Sequence, residues 1–226
     1  MKKANYYLLL FVTFAVSCQN DDIPAPATPD AYMSLTTGST WNYEVVNNLT
    51  TNTSTYTLTA TSKDSAIGGK TYRVVTNSSG SGNEYYNITG NDYNNFRKLP
   101  TALGSSNVVF NYLKDNAAIG TSWVQAYPVT VSGVSLNATL TNTVTQKGIS
   151  KTVKGIAYKD VIQVNTAIAV SIGPLPLPAG ALTSDIQSFY APKVGLIQTV
   201  NKVNLNYAGI TDNTDQLTNL VSATIK

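Results

Sequence analysis

"DVIQVNTAIAVSI", residues 160–172, carries Ile162, Val164, Ile168, Val170 and Ile172 at even positions, with mostly polar or small residues between them. Successive side chains of an extended chain point to opposite faces, so a spacing of two puts all five on one face of a strand. Their β-branched side chains suit a pleated surface.

The same pattern spreads outward in both directions. "TWNYEV" aligns Trp41, Tyr43 and Val45; "STYTLTATS" aligns Tyr56, Leu58 and Ala60; "KTYRVVTN" aligns Tyr72, Val74 and Thr76. "EYYNIT" offers Tyr86 and Ile88, and "NVVFNYL" offers Val108, Phe110 and Tyr112. Later come "SWVQAYPVTVSG", "VSLNATLTNTV" and "GLIQTVNKVNLNY". Glycine-rich turn signals separate several of them, among them Gly68-Gly69 and "SSGSGN" at 78–83. A helical reading competes only near the end, where "NTDQLTNLVSATI" spaces Leu217, Leu220 and Val221 by three and one; a last strand fits equally. The prediction is an all-β, antiparallel, strongly curved open half-barrel or sandwich, with at most one or two short helices, forming a single domain over residues 35–226.

A weak internal echo accompanies the strands. Gly38-Ser39-Thr40-Trp41 recurs as Gly120-Thr121-Ser122-Trp123, and "GGKTYRVV" at 68–75 parallels "VKGIAYKDVIQV" at 153–164. One stretch interrupts the rhythm: in "IGPLPLPAG", residues 172–180, three prolines alternate with Leu175 and Leu177. Proline removes a ladder donor, so this is an edge or a loop, with the two leucines touching either the core or a ligand.

The N-terminus has its own logic. Lys2 and Lys3 precede Tyr6–Val16, eleven residues of nearly unbroken apolar sequence. A bilayer span needs about 20 such residues, whereas an export signal needs 7 to 15. Ala15-Val16-Ser17-Cys18 then resembles the lipobox of bacterial lipoproteins, with Ala15 where leucine is usual. The resemblance implies acylation of Cys18 and a signal peptide over residues 1–17. Acyl chains anchor firmly because each buried CH₂ contributes roughly 0.8 kcal/mol. Residues 18–34, with Pro24, Pro26 and Pro29, form a stiff tether. Asp21 and Asp22 are similar to the acidic stretch that directs Bacteroidetes lipoproteins to the cell surface; an ordinary solvated tether is the other reading. The expected location is the outer membrane, lipid-anchored and surface-exposed.

Composition removes whole classes of chemistry. The chain of 226 residues has no histidine and no cysteine besides Cys18. Nucleophile–histidine systems and histidine metal sites are therefore absent. Its 15 basic and 12 acidic residues are scattered, so nucleic acid is not an expected partner. Glu44 and Glu84 are its glutamates, and most aspartates fall at turns. No catalytic residue, metal or cofactor is expected. Asp64-Ser65-Ala66 resembles an O-glycosylation signal of the same bacterial group, which would place a glycan on Ser65.

Three stretches, "LTTGSTWNYEV", "VKGIAYKDVIQV" and "SFYAPKVGLIQT", together resemble a family of Bacteroidetes-type surface lipoproteins with G-x-x-W and FYA-x-x-VGLI motifs. That resemblance implies the half-barrel of the outer-membrane lipoprotein carriers, whose concave apolar face holds acyl chains. The expected role is accordingly a non-catalytic envelope protein binding a lipid or other apolar ligand. The alternative is an accessory or adhesive surface module for protein or polysaccharide. Tyr85, Leu175 and Leu177 are the candidate ligand contacts, Tyr85 because two consecutive tyrosines cannot both face the core.

Overall fold

The computed structural model describes residues 31–98, 107–131, 134–207 and 209–226. Cys18, the signal segment and most of the tether lie outside the described residues. The period-two stretches become thirteen strands: β1 (Thr40–Asn47), β2 (Thr53–Ile67), β3 (Lys70–Asn77), β4 (Glu84–Thr89), β5 (Asp92–Lys98), β6 (Asn107–Lys114), β7 (Ser122–Val131), β8 (Val134–Val153), β9 (Ile156–Ile172), β10 (Leu175–Pro176), β11 (Leu182–Ala191), β12 (Gly195–Tyr207) and β13 (Ile210–Thr224). No helix forms among the described residues. The ambiguous C-terminal stretch is β13, because its backbone is claimed on both sides, by β1 and by β12.

All pairings are antiparallel, and the sheet runs β6-β5-β4-β3-β2-β1-β13-β12-β11-β9-β8-β7, with the two-residue β10 pairing β9. Tight turns make this meander possible. Gly68 and Gly69 both have positive φ, 56° and 76°, which a two-residue hairpin turn with the right twist requires. The long sheet curls until its ends, β6 and β7, meet. The result is a barrel with one seam, the closed limit of the curved half-barrel that the sequence predicts.

Among the described residues no backbone ladder crosses that seam; side chains cross it instead. Trp123 Nε1 donates to the Asn111 carbonyl at 2.7 Å. Gln125 accepts from the Asn111 N–H at 2.9 Å and donates to the Val109 carbonyl at 3.0 Å. The Tyr127 hydroxyl donates to the same carbonyl at 2.7 Å, and its ring packs on Phe110 with centroids 5.1 Å apart. Trp123, Gln125 and Tyr127 are alternate residues of β7, so one face of that strand supplies these bonds. They satisfy edge groups of β6 that would otherwise template association with another chain.

The internal echo is structural. Gly38 N–H donates to Ala60 O at 2.8 Å and Ala60 N–H to Ser39 O at 2.9 Å. Gly120 N–H donates to Val144 O at 2.7 Å and Val144 N–H to Thr121 O at 3.0 Å. Each half of the barrel thus opens with the same clasp, followed by a tryptophan whose indole donates to a backbone carbonyl at 2.7 Å.

One end of the barrel is plugged. Residues 31–34, the last of the predicted tether, lie against the hairpin between β11 and β12: Lys193 N–H donates to Ala31 O, and Ser34 N–H to Lys193 O. Tyr32 and Met33 are buried. Tyr32 N–H donates to the Tyr93 hydroxyl at 2.8 Å, and the Tyr32 hydroxyl donates to Asp160 O at 2.6 Å. Around them Trp41, Leu58, Leu113, Val144, Ile162 and Leu220 form the main core. Beyond its bulges the β8–β9 hairpin folds back over the convex face. Lys151 sits 3.6 Å from the Phe189 ring centroid on β11, and Lys154 reaches Glu44 on β1 at 2.5 Å.

Two outcomes are expected from urea denaturation. Gln125→Ala and Tyr127→Phe should each cost roughly 0.5–1.5 kcal/mol, and the double variant more than their sum, because Val109 O then loses both side-chain donors. Gly195 has φ +88°, and an added Cβ would lie 3.3 Å from Tyr32 O and 3.4 Å from Met33 Cγ. Gly195→Ala should therefore cost about 1–3 kcal/mol by straining the turn and pushing the plug outward.

Candidate functional site

Above the plug the barrel encloses a cavity of about 370 Å³. Alternation explains its walls. Glu84 and Tyr86, Asn95 and Arg97, Ser188 and Tyr190, Thr199 and Asn201, and Gln216 and Thr218 are each two residues apart, so each strand contributes one face. Met33, Leu58 and Leu196 line the cavity nearest the plug, and Phe110 and Ile186 line its flanks. Five tyrosines, Tyr43, Tyr56, Tyr86, Tyr112 and Tyr190, form an aromatic shell. Amides and hydroxyls fill the remaining wall: Asn95, Asn142, Thr166, Ser188, Thr199, Asn201, Gln216 and Thr218.

The tyrosines pack on one another. Tyr43 stacks on Tyr56 with centroids 5.2 Å apart, and Tyr112 contacts both Tyr86 at 6.1 Å and Tyr190 at 5.6 Å. Most of their hydroxyls have partners. Tyr43 donates to Leu196 O at 2.8 Å, Tyr86 to Glu84 Oε2 at 2.5 Å, and Tyr112 to Met33 Sδ at 3.4 Å. Burial raises the Tyr43, Tyr86 and Tyr112 phenols well above the usual tyrosine range; at Tyr86 the neighbouring Glu84 charge adds to it. Burial pushes Tyr56 and Tyr190 up to about 12, with Arg97 opposing the rise.

Glu84 and Arg97 are the charged lining residues. Glu84 is held on the wall side by Tyr86 and by Asn77 Nδ2 at 2.8 Å. Arg97 commits its Nε to Asn95 Oδ1, and an Nη lies 3.7 Å from Glu84 Oε2. Desolvation works against the Arg97 charge, but Tyr86 and Glu84 outweigh it, so its pKa rises further. The Arg97 side chain nevertheless keeps 58% of its surface accessible while lining the cavity. It projects into open space inside the barrel. The other arginine, Arg73, is engaged through Nε by Asp64 at 2.7 Å and through one Nη by Thr37 and the Thr61 carbonyl.

Further from the plug the same concave face turns apolar. Leu140 and Ile168 form a cross-strand pair, as do Ala138 and Val170, and Leu182 and Leu205; all are half-buried. The cavity is thus polar and aromatic within and apolar toward the far end.

The residues singled out in the sequence lie elsewhere. Tyr85 falls between two cavity residues and so faces the convex side, where its ring meets Phe96 edge-on at 5.7 Å. Leu175, in β10, is 69% exposed, and Leu177 donates its N–H to Val170 O; neither lines the cavity. Ser65 is half-buried and lies within β2, opposite Tyr72, rather than in a turn. Among the described residues no group of three or more His, Cys, Asp or Glu is placed to share a metal ion. Glu84, Arg97 and the tyrosine shell escaped the sequence reading. The available signal was Glu84-x-Tyr86 and Asn95-x-Arg97, charged residues in step with the inward face of their strands.

The buried phenols predict a loss of stability at alkaline pH. Their folded pKa values exceed the unfolded value of about 10, so the protonated form is favoured in the native state. Stability should hold below pH about 10 and fall as pH rises toward and past 12. Urea midpoints against pH, with phenolate absorbance followed in parallel, should show these tyrosines ionising only as the barrel unfolds.

No family model matches the chain, and no curated protein matches its sequence. Solved structures do share its fold. One is a candidate lipoprotein of Parabacteroides distasonis, 13% identical, with a TM-score of 0.52, covering 87% of this chain and 100% of its own. Another is a candidate exported protein of Bacteroides fragilis described as having a YmcC-like fold, 8% identical, with a TM-score of 0.51 and the same coverage. At such identities the likeness is one of architecture: this seamed barrel is similar to the folds of a candidate lipoprotein and a candidate exported protein of Bacteroidetes.

Proposed function

We propose that this chain is a non-catalytic, lipid-anchored protein of the cell envelope that holds a small amphiphilic molecule inside its barrel. The cavity is the observation that carries this reading. Its volume lies within the usual ligand-site range of roughly 300–1,000 Å³, and it combines an aromatic and polar chamber with an apolar rim. That composition favours, within the lipid or other apolar ligand expected from sequence, a molecule with a polar end. The chamber takes the polar end, and the half-buried leucines, isoleucines and valines cover the apolar part.

A non-catalytic role is supported by the poverty of reactive groups. One carboxylate, Glu84, lines the cavity, and both its oxygens already accept hydrogen bonds. General acid–base work on a glycosidic bond takes two carboxylates. Anchoring is supported by the lipobox-like Ala15–Cys18 and by the plug. Residue 31 leaves the barrel at the plugged end, so an acylated Cys18 would hold that end toward the outer membrane and leave the apolar rim facing away.

The other reading, a surface module for protein or polysaccharide, rests on Tyr85 and Phe96 on the convex face. One experiment separates the two. The secreted chain with Cys18→Ser is purified from cell extract and weighed by native mass spectrometry, beside a Ser188→Trp variant that fills the chamber and a Tyr85→Ala variant. The expected outcome is a retained small-molecule mass in the parent and in Tyr85→Ala, lost in Ser188→Trp. A chain that retains nothing, and captures no amphiphile added to it, would remove the cavity reading.

A further inference from the structure

Of two arginines in the chain, Arg73 lies outside the cavity with its Nε and one Nη engaged, whereas Arg97 lines the cavity. Arg97 stands in the cavity with its Nε fixed by Asn95, so the guanidinium plane is held while its outer edge stays accessible. A fixed guanidinium fork is suited to bidentate recognition of a carboxylate. Its one acidic neighbour, Glu84, is tied to the wall by Asn77 and Tyr86 and meets Arg97 only at 3.7 Å. That leaves Glu84 as a positioning residue that pairs with one Nη from the wall side and leaves the outer edge of the guanidinium accessible.

The surroundings narrow the ligand further. Tyr56, whose ring stacks on Tyr43, borders the same space, and no hydrogen bond to its hydroxyl is seen among the described residues. Across the chamber Thr166, Ser188, Thr199 and Gln216 present hydroxyls and an amide. Such a wall can both donate to and accept from the hydroxyls of a ligand. Tyrosine faces can stack on a saturated ring while their edges stay polar.

Resting on the cavity reading above, we infer that the polar end of the bound molecule is a sugar acid, its carboxylate on Arg97 and its hydroxyls along the Thr, Ser and Gln wall. An acyl chain alone would offer nothing to the outer edge of Arg97 or to the hydroxyls and amide of that wall. A neutral sugar would bring no charge to the accessible outer edge of the guanidinium.

The test uses the Cys18→Ser chain with two probes that differ only at this group, octyl glucuronide and octyl glucoside, measured by calorimetry. The glucuronide should bind about ten-fold more tightly or better, as expected for a charge-assisted pair. In Arg97→Ala the two affinities should converge to within about two-fold, and Arg97→Lys should restore only part of the difference. Raising salt should weaken the glucuronide and leave the glucoside unchanged. Equal affinities in the parent, or a preference that survives Arg97→Ala, would overturn the inference while leaving the cavity reading intact. Failure of both probes, and of octanol, to bind would overturn both. Because Arg97→Lys keeps the charge, it tests the fork even if the alanine variant proves less stable.

Discussion

The barrel depends on how β6 and β7 are joined. Twelve strands are knitted by backbone ladders, but the last junction is not. There Trp123, Gln125 and Tyr127 take the place of a neighbouring strand, bonding to the backbone of Asn111 and Val109. Asn142 on β8 adds a donor to the Asn111 carbonyl at 3.2 Å. These bonds hold the two edges of the curved sheet together and complete the wall on the side of β6, which carries Phe110 and Tyr112 into the cavity.

The repeat in the chain makes the asymmetry of closure visible. Both halves begin with a glycine clasp and a tryptophan, yet their fates differ. Trp41 sits beside β13, which zips to β1 along eight residues, and its indole serves the β11–β12 hairpin. Trp123 sits where the corresponding partner does not zip, and its indole serves the seam. Equivalent local sequence therefore does two jobs, and the choice lies with the neighbouring strand. The plug has the same character. Tyr32 and Met33 follow a proline-rich stretch that reads as tether; Tyr32 is held by Tyr93 and Asp160, 61 and 128 positions away, and the flanking Ala31 and Ser34 by Lys193.

Function concentrates where the two ends of the molecule differ. Near the plug, apolar side chains fill the barrel; at mid-height, tyrosines and amides leave space; beyond, apolar side chains remain half-exposed. Large rigid phenols that bond to the wall keep that space from collapsing, since filling it would break Tyr43–Leu196 and Tyr86–Glu84. The folded convex hairpin, pinned by Lys151 on Phe189 and Lys154 on Glu44, backs the strands that carry Tyr43, Ser188 and Tyr190.

The strand content, the antiparallel order and the absence of catalytic histidine chemistry were legible from residue types and period-two spacing. These properties are local: a strand shows itself in its own alternation, and a turn in its own glycines. The facing of Tyr85 and Tyr86 was legible, since two consecutive tyrosines alternate, but that the inward face of Glu84-Tyr85-Tyr86 borders a cavity rather than filled core was not. Leu175 and Leu177 were conspicuous because prolines flank them, and they lie beside β9, outside the cavity. The cavity, Arg97's open fork and the seam arise from residues brought together across the whole chain by sheet curvature. Curvature is set by the sum of twist, bulges and closure over all strands, and so it was decided only by the tertiary structure.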